Sequence, residues 1–506
     1  MNRIRGIVQN EKLPHIAHWI NGGARQPLRG ESAPVFDPAT GKPVHAVGFA
    51  DAGILQEAVS SAVRAFPAWA ATPAPRRADI LFRYRELLRG RRDQLADIIT
   101  QENGKTLAES RAELDRGMQV VEFAAGIPHL MKGEFLNDIA SGLDGYSVCE
   151  PVGVCLGITP FNFPAMVPMW MFPVAIAAGN TFILKPSEKA PTCATRLAAL
   201  FEEAGLPPGV FNIVHGARET VEKLISAPEV AAVSFVGSTP VARAVYRAAS
   251  DAGKRAQCLG GAKNHLIVMA DADMDAACAA LTGAAYGCAG ERCMAISVAV
   301  AVGKAGDQLV SKLATRARAL KLGSGSDPAT DVGPLVTEEH RLRVTQYLDT
   351  GVGEGARLVV DGRRHTAGAA HGGFFLGPSL FDHVTPDMKI YRDEIFGPVL
   401  CVVRAADLDE AIAIANGHEY ANGAAIFTAD GAHARRFVRD IEAGMIGVNV
   451  PVPAPTAYFG FGGHKQSLFG PLHVHGTDGV RFYTRVKSVT SRWPEHSEKR
   501  EGPSGF

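Results

Sequence analysis

An excess of charge of either sign is the first thing this 506-residue sequence lacks: 52 basic residues meet 52 acidic ones, for a formal net charge of zero. That removes the electrostatic case for nucleic acid or an anionic membrane surface as a partner. Long apolar runs are also missing. The longest, VPMWMFPVAIAAG at 167–179, is too short for a bilayer and is interrupted by prolines, so it reads as buried core. The opening MNRIRGIVQNEKLPHIAHWI has neither the apolar run nor the small-residue cleavage site of a secretory signal. Cysteine is scarce. Eight thiols at irregular spacing (149, 155, 193, 258, 278, 288, 293 and 401) form no disulfide framework, and a reducing cytoplasm is the expected compartment. The absence of internal repeats and low-complexity linkers suggests domains that interleave along the chain.

The length leaves room for about three domains. A composition of 46% hydrophobic and 21% charged residues belongs to a soluble globular protein. The middle third alternates strand and helix patterns. NTFILKP (180–186), VFNIVHG (210–216) and AAVSFVGS (231–238) are β-rich, and CATRLAALFEEAG, ETVEKLISA and VARAVYRAASDAG are helical. Strands joined by single crossover helices run parallel, so this is a doubly wound α/β segment whose ligands belong at the carboxyl ends of its strands. Upstream, Ile80, Leu81, Tyr84, Leu87 and Leu88 follow helical spacing, and roughly residues 55 to 127 are expected to be mostly helical. A second α/β unit begins near residue 260. The polar tail after Trp493 has the composition of a disordered segment.

The stretch GCAGERCMAIS (287–297) holds two cysteines five positions apart. Metal binding is the weakest reading, because no second pair or histidine stands at zinc-ligand spacing. A redox pair lacks the Cys-x-x-Cys frame. Cys288, at the apolar end of an Ala-rich helix, reads as a small core residue. Cys293 falls outside the apolar pattern at a helix-to-strand junction, and Arg292 beside it favours the reactive thiolate. From this stretch alone, nucleophile and structural thiol stay equally open.

A wider set shifts that balance: ITPFNFP (158–164), ILKPSE (183–188), FVGST (235–239), LGGAKN (259–264), GERC (290–293) and EIFGPV (394–399). In this order and spacing the chain resembles the aldehyde dehydrogenase superfamily over roughly residues 20 to 490. The resemblance implies an α/β fold with a Rossmann-like NAD domain (20–130 and 150–259) and an α/β catalytic domain (260–465). It also implies a small β oligomerisation arm (131–149 and 466–492) and a flexible tail (493–506). It places Cys293 as the nucleophile, with the Asn162 amide and the Cys293 backbone N–H holding the oxyanion. No G-x-G-x-x-G follows a strand, so the common dinucleotide fingerprint is absent. In its place the resemblance implies Gly237 and Ser238 at phosphate, and Lys185 and Glu188 at ribose. Glu394 would hold the nicotinamide ribose with Phe396 beside it. Thr159, Phe161, Lys189 and Gly260 are implied as further cofactor contacts. A carboxylate at the ribose hydroxyls favours NAD over NADP. No metal is implied, and the arm implies a homodimer or homotetramer.

One carboxylate is missing. Hydrolytic members of the superfamily place a glutamate directly before LGG to activate water, and here that position is Cys258. Either another residue such as Glu150 or Glu291 replaces it, or water is not the acyl acceptor. LGGAKNH, GERCMAIS, PLVT, GMIGVNVPVPAP and FGGHKQSLFG resemble the CoA-acylating methylmalonate-semialdehyde (malonate-semialdehyde) dehydrogenases, which lack this glutamate. That resemblance implies coenzyme A as acyl acceptor, loss of CO2 before acyl transfer, and Arg116 and Arg292 as anchors of the substrate carboxylate. Arg116 also fits a solvated helix face. The rival readings are a hydrolytic NAD-dependent aldehyde dehydrogenase with a relocated base and a catalytically silent structural relative. Cys258 is expected as a small filler, with a protective disulfide to Cys293 as its other possible use.

Overall fold

The computed structural model describes residues 13–26, 31–365 and 372–493. The tail expected to be disordered lies outside them except for Trp493. The helical stretch expected upstream is four successive helices, Ala52–Ala71, Ala74–Gly90, Arg92–Asn103 and Leu107–Ala125, with a last turn at Ile127–Leu130. Each ends at a sequence signal. Asp51 caps the first by accepting from the Ile54 N–H, Gly104 closes the third at φ +92°, and Thr106 with Glu109 forms a capping box on the fourth.

The doubly wound segment forms an eight-stranded sheet. Its five central strands, in spatial order Arg255–Leu259, Val230–Val236, Val154–Ile158, Thr181–Lys185 and Phe211–Ile213, all run parallel. The chain starts at Val154–Ile158, moves to one side through the next two strands, and then returns to the other side. The switch point therefore lies beside Ile158, which pairs with Lys185 on one side and Phe235 on the other. All five residues of Val154–Ile158 and of Thr181–Lys185 are buried, which explains why these strands read as apolar runs rather than alternations.

A second, seven-stranded sheet contains Asn264–Val268, Ile296–Val302, Val399–Ala405 and Gly423–Phe427. Its large core cluster encloses Leu266, Ile267, Val300, Leu309 and Phe427. The arm is a three-stranded antiparallel sheet of Phe135–Ala140, Leu143–Pro151 and Thr484–Arg492. Phe135, Leu136 and Val486 are exposed on it.

The arm is shorter than expected at its second segment. Leu468–Phe469 joins the eight-stranded sheet, pairing antiparallel with Leu259 and Cys258. The helix Gly476–Phe482 packs on Met166–Ala177, burying Val480 and Phe482. Burial of these apolar side chains holds 468–483 to the core, and only 484–492 is left to pair with the hairpin. Asn180 ties the junction. Fully buried, it accepts the Val152 and Gly153 N–H groups at 2.8 and 3.0 Å and donates to the Ala175 and Tyr483 carbonyls at 2.9 Å each. Asn180→Ala removes the acceptor of the half-buried Val152 and Gly153 N–H groups and a donor to the buried Tyr483 carbonyl, and a loss of about 2 kcal/mol is expected, read as a lower urea midpoint. A midpoint within error of wild type would refute this account of the junction.

Candidate active site

The carboxyl ends of four adjacent parallel strands deliver Thr159, Lys185, Gly237 and Gly260 to one edge of the eight-stranded sheet. Thr159 N–H donates to the Lys185 carbonyl at 3.2 Å, and Gly237 N–H to that of Leu259 at 3.1 Å. Lys185 and Glu188, expected as ordinary charges without the resemblance, form a pair at 3.1 Å at the strand end. Burial works against ionisation of Glu188, but Lys185, a backbone N–H and Lys189 together outweigh it and the carboxyl stays below its usual range. Ser238 opens the helix Thr239–Asp251 with no side-chain cap, leaving that helix's first N–H groups for a ligand. The Thr159 hydroxyl is buried without a partner. An uncapped helix start, an orphan hydroxyl and a carboxylate at the strand end fit the phosphates and ribose of a dinucleotide.

Facing this edge is the turn that carries Cys293. Cys288, Ala289 and Gly290 take three consecutive left-handed conformations, at φ +49°, +51° and +75°. Only at Gly290 does the backbone demand glycine on two counts, since a Cβ there would stand 2.1 Å from the Gly397 carbonyl oxygen. The side-chain amides of Asn264 and Asn422 both donate to the Cys293 carbonyl, at 2.9 and 3.1 Å. Asn162 is buried, and its amide donates to the Glu291 carbonyl at 3.0 Å, which brings it against the turn of Cys293 with its second N–H making no bond among the described residues. Burial pushes the Cys293 thiol up to about 12, and Glu394 adds to the shift. The backbone N–H groups of Cys293 and Met294 favour the thiolate and oppose it.

Glu394 accepts the Ala262 N–H at 3.0 Å, and burial pushes its carboxyl up to about 7. A Cβ on Gly261 would stand 2.5 Å from this carboxylate. Phe396 adopts φ +58° and meets Phe161 edge to face, with ring centres 6.1 Å apart. Lys189 lies over the Phe161 ring at 4.8 Å. Gly260 N–H donates to the Ser467 carbonyl at 2.9 Å.

The two arginines flank one loop. Arg116 is half-buried rather than on a solvated face, and donates to the Ala454 carbonyl at 3.0 Å. Arg292 pairs with Glu109 at 2.9 Å and lines a cavity of about 500 Å³ together with Pro451 and Val452.

Cys258 sits apart from Cys293. It is fully buried among Ile158, Phe235 and Val245, whereas Cys293 packs against the cluster on the other side of its strand, which takes Leu259. It serves as the expected filler, and all eight cysteines are free thiols. The two candidates for a relocated base lie in different places. Glu150 lies on the arm, paired with Lys487 and Arg485. The Glu291 carboxyl is pushed up to about 8 by burial and faces the Val336 N–H at 3.4 Å and His340 at 3.5 Å.

Sequence reading missed the supports of this site. Lys105 and Glu113 form a fully buried pair at 2.7 Å. Lys105 donates to the Asn162 carbonyl at 2.5 Å, and Glu113 accepts the Ala165 and Met166 N–H groups at 2.8 and 3.1 Å. His340 holds the left-handed Phe396 through its carbonyl at 2.6 Å, and Lys263 binds the Ile390 and Asp393 carbonyls below Glu394. One signal was available: Thr106 and Glu109 stand at capping-box spacing.

Cys293, three residues after a left-handed turn, stands opposite the carboxyl ends of a doubly wound sheet, a layout that sets a thiol beside a dinucleotide cleft as in an oxidoreductase. The sequence profile of the Aldehyde dehydrogenase family matches residues 26–489, and the chain belongs to that family. It is 54% identical over 490 residues to the malonate-semialdehyde dehydrogenase of Pseudomonas aeruginosa, covering 97% of this chain and 99% of that one. It is 52% identical over 478 residues to malonate-semialdehyde dehydrogenase 2 of Geobacillus kaustophilus, covering 94% and 99%. Among solved structures, the Sinorhizobium meliloti protein assigned as a methylmalonate-semialdehyde dehydrogenase, complexed with NAD, superposes with a TM-score of 0.95. It shares 50% identity and covers 96% of this chain and 99% of its own. The methylmalonate-semialdehyde dehydrogenase of Oceanimonas doudoroffii superposes at 0.94, again with 50% identity and the same coverage. Among the described residues no helix is long and apolar enough to cross a membrane, and no group of three or more His, Cys, Asp or Glu side chains is placed to hold a metal.

Lys105→Met leaves Glu113 as an uncompensated buried charge and frees the Asn162 carbonyl. A stability loss of about 3–5 kcal/mol is expected. A fall in kcat of about tenfold to a hundredfold should accompany it as the Asn162 amide loses its placement. Steady-state kinetics on folded variant would refute the support role if kcat were unchanged.

Proposed function

We propose that the protein oxidises malonate semialdehyde or methylmalonate semialdehyde with NAD and transfers the resulting acyl group to coenzyme A. The observation that carries this reading is Cys258. The position before Leu259-Gly260-Gly261, where a water-activating carboxylate would stand, holds a thiol sealed in an apolar cluster and pushed up to about 12 by burial. The hydrolytic alternative needs a base, and Glu150 is held by Lys487 and Arg485 on the arm while the Glu291 carboxyl is directed at the Val336 N–H and His340. The names of the relatives at 50–54% identity support the same substrates.

Cys293 attacks the aldehyde as its thiolate, forming a tetrahedral thiohemiacetal. Its oxygen takes hydrogen bonds from the second Asn162 N–H and the Cys293 backbone N–H, donors that need no reorganisation because Lys105 and Glu113 hold the Asn162 segment. NAD, when bound, accepts the hydride. Lys185 and Glu188 would hold its adenine-side ribose, Gly237 and Ser238 its phosphates, and Glu394 its nicotinamide ribose, with Thr159, Phe161, Lys189, Gly260 and Phe396 around it. A malonyl-type thioester on Cys293 then loses CO2, with the electron pair passing to the thioester carbonyl as an enolate that the same donors stabilise, and the enolate takes a proton from water at its α-carbon to leave the acetyl or propionyl thioester. The CoA thiolate attacks the acyl carbon and expels Cys293. A thiolate is a far better nucleophile than water toward a thioester, so a strong protein base is not required. Arg292 and Arg116 would anchor the substrate carboxylate from the two sides of the 451–454 loop.

NADH formation from malonate semialdehyde should be sustained only with CoA and should yield acetyl-CoA by mass. Equal turnover without CoA, yielding a free acid, would sink the acylating reading. With its thiol pushed up to about 12, free Cys293 is neutral at pH 7. Its alkylation by iodoacetamide should therefore quicken about tenfold per pH unit from pH 7 to 9, following the thiolate fraction. A rate flat across that range would show a thiol already ionised.

A further inference from the structure

Arg292 is occupied. Its guanidinium, flat against Gly287 where a Cβ would stand 2.6 Å away, donates to Glu109 at 2.9 Å and lies beside the Cys288 thiol. Glu109 is its one carboxylate partner among the described residues. That carboxylate cannot move with the arginine. One oxygen takes the Thr106 N–H and hydroxyl at 3.0 and 3.1 Å, and the other takes the Cys288 N–H at 2.6 Å as well as Arg292. The capping box fixes it to the start of the Leu107–Ala125 helix. Glu109 and Arg292 both line the cavity of about 500 Å³ beneath Pro451 and Val452. The cations and carboxylates gathered here, Lys105, Arg292, Glu109 and Glu113, cancel one another, so the site offers an anion no net positive charge.

We propose that Glu109 is the internal counter-ion of Arg292, a specificity-determining residue against which an acidic substrate's carboxylate competes for the guanidinium. This rests on the reading of Arg292 as a carboxylate anchor. A fixed carboxylate sets how strongly the site favours acidic over neutral aldehydes. It holds Arg292 in place when no substrate is bound, and it weakens each acidic substrate by like-charge repulsion at short range.

The test is the ratio of kcat/KM for malonate semialdehyde to that for propanal, measured with NAD and CoA on the full chain. Glu109→Gln keeps an acceptor for the Cys288 N–H and removes the charge, and the ratio should rise about fivefold, a modest share of the Coulomb energy of a partly buried pair. Glu109→Asp, which keeps the charge but withdraws it from Arg292, should raise the ratio by less and serves if the Gln variant does not fold. Malonate, an unreactive dicarboxylate, should protect Cys293 from iodoacetamide at lower concentration in the Gln variant, a shift that a purely structural role would not produce. Arg292→Leu should lower the ratio. A ratio that falls in Arg292→Leu but stays flat in Glu109→Gln overturns the counter-ion role and leaves the anchor reading standing. A ratio flat in both overturns the two together.

Discussion

The site depends on a buried ion pair that touches no reacting atom. Lys105 and Glu113 are sealed from solvent at 1% and 0% side-chain exposure, on the first turns of one helix and the loop before it. Taking two charges out of water is costly, and the cost is met only when every remaining donor and acceptor is satisfied. Here Lys105 lies over the Phe163 ring at 4.1 Å and binds the Asn162 carbonyl, while Glu113 takes the first N–H groups of the Met166–Ala177 helix region. Burial works against the ammonium, but Glu113, the Cys288 thiol and Glu109 outweigh it and hold the lysine charged. The pair thus fixes the segment 161–166 from both ends, and Asn162 is aimed by a structure it does not belong to.

From that segment the constraint passes to the turn that carries Cys293. Asn162 binds the carbonyl of Glu291, Glu109 binds the N–H of Cys288, and Asn264 and Asn422 bind the carbonyl of Cys293. Four side chains from four parts of the chain therefore hold a turn whose left-handed backbone is unfavourable for Cys288 and Ala289. Strain of this kind persists only where the surroundings over-determine it. The result is a thiol placed at the mouth of the parallel sheet yet kept neutral by burial until a partner arrives.

Neutralisation recurs through the site. Burial raises Glu291 to about 8 and Glu394 to about 7, and lowers His340 to about 4. Glu291 and His340 therefore meet as neutral groups at pH 7, bridging the nucleophile turn to the Phe396 loop without an ion pair. A dry site of this kind strengthens each remaining dipole, which suits an oxyanion held by two N–H groups.

The parallel strands, the upstream helices and the order of the motifs were legible in the sequence, because hydrophobic period and turn residues act over a few positions. The motifs also mark the positions 159, 185, 237 and 260, which the structure places at one sheet edge, and Asn162, which it places against the turn of Cys293. The assignment of 466–483 to the arm failed because apolar burial, not chain order, decides which sheet a short strand joins. Nothing in the sequence near Lys105, Glu113 and Glu109 says that they are buried. Their partners come from far along the chain: Asn162 meets Glu291 across 129 positions and Arg292 meets Glu109 across 183. The sequence by itself determined the elements and the order of the motifs along the chain. Only the tertiary structure decided which charges are desolvated and what they hold, because desolvation belongs to the packed assembly and not to any residue in it.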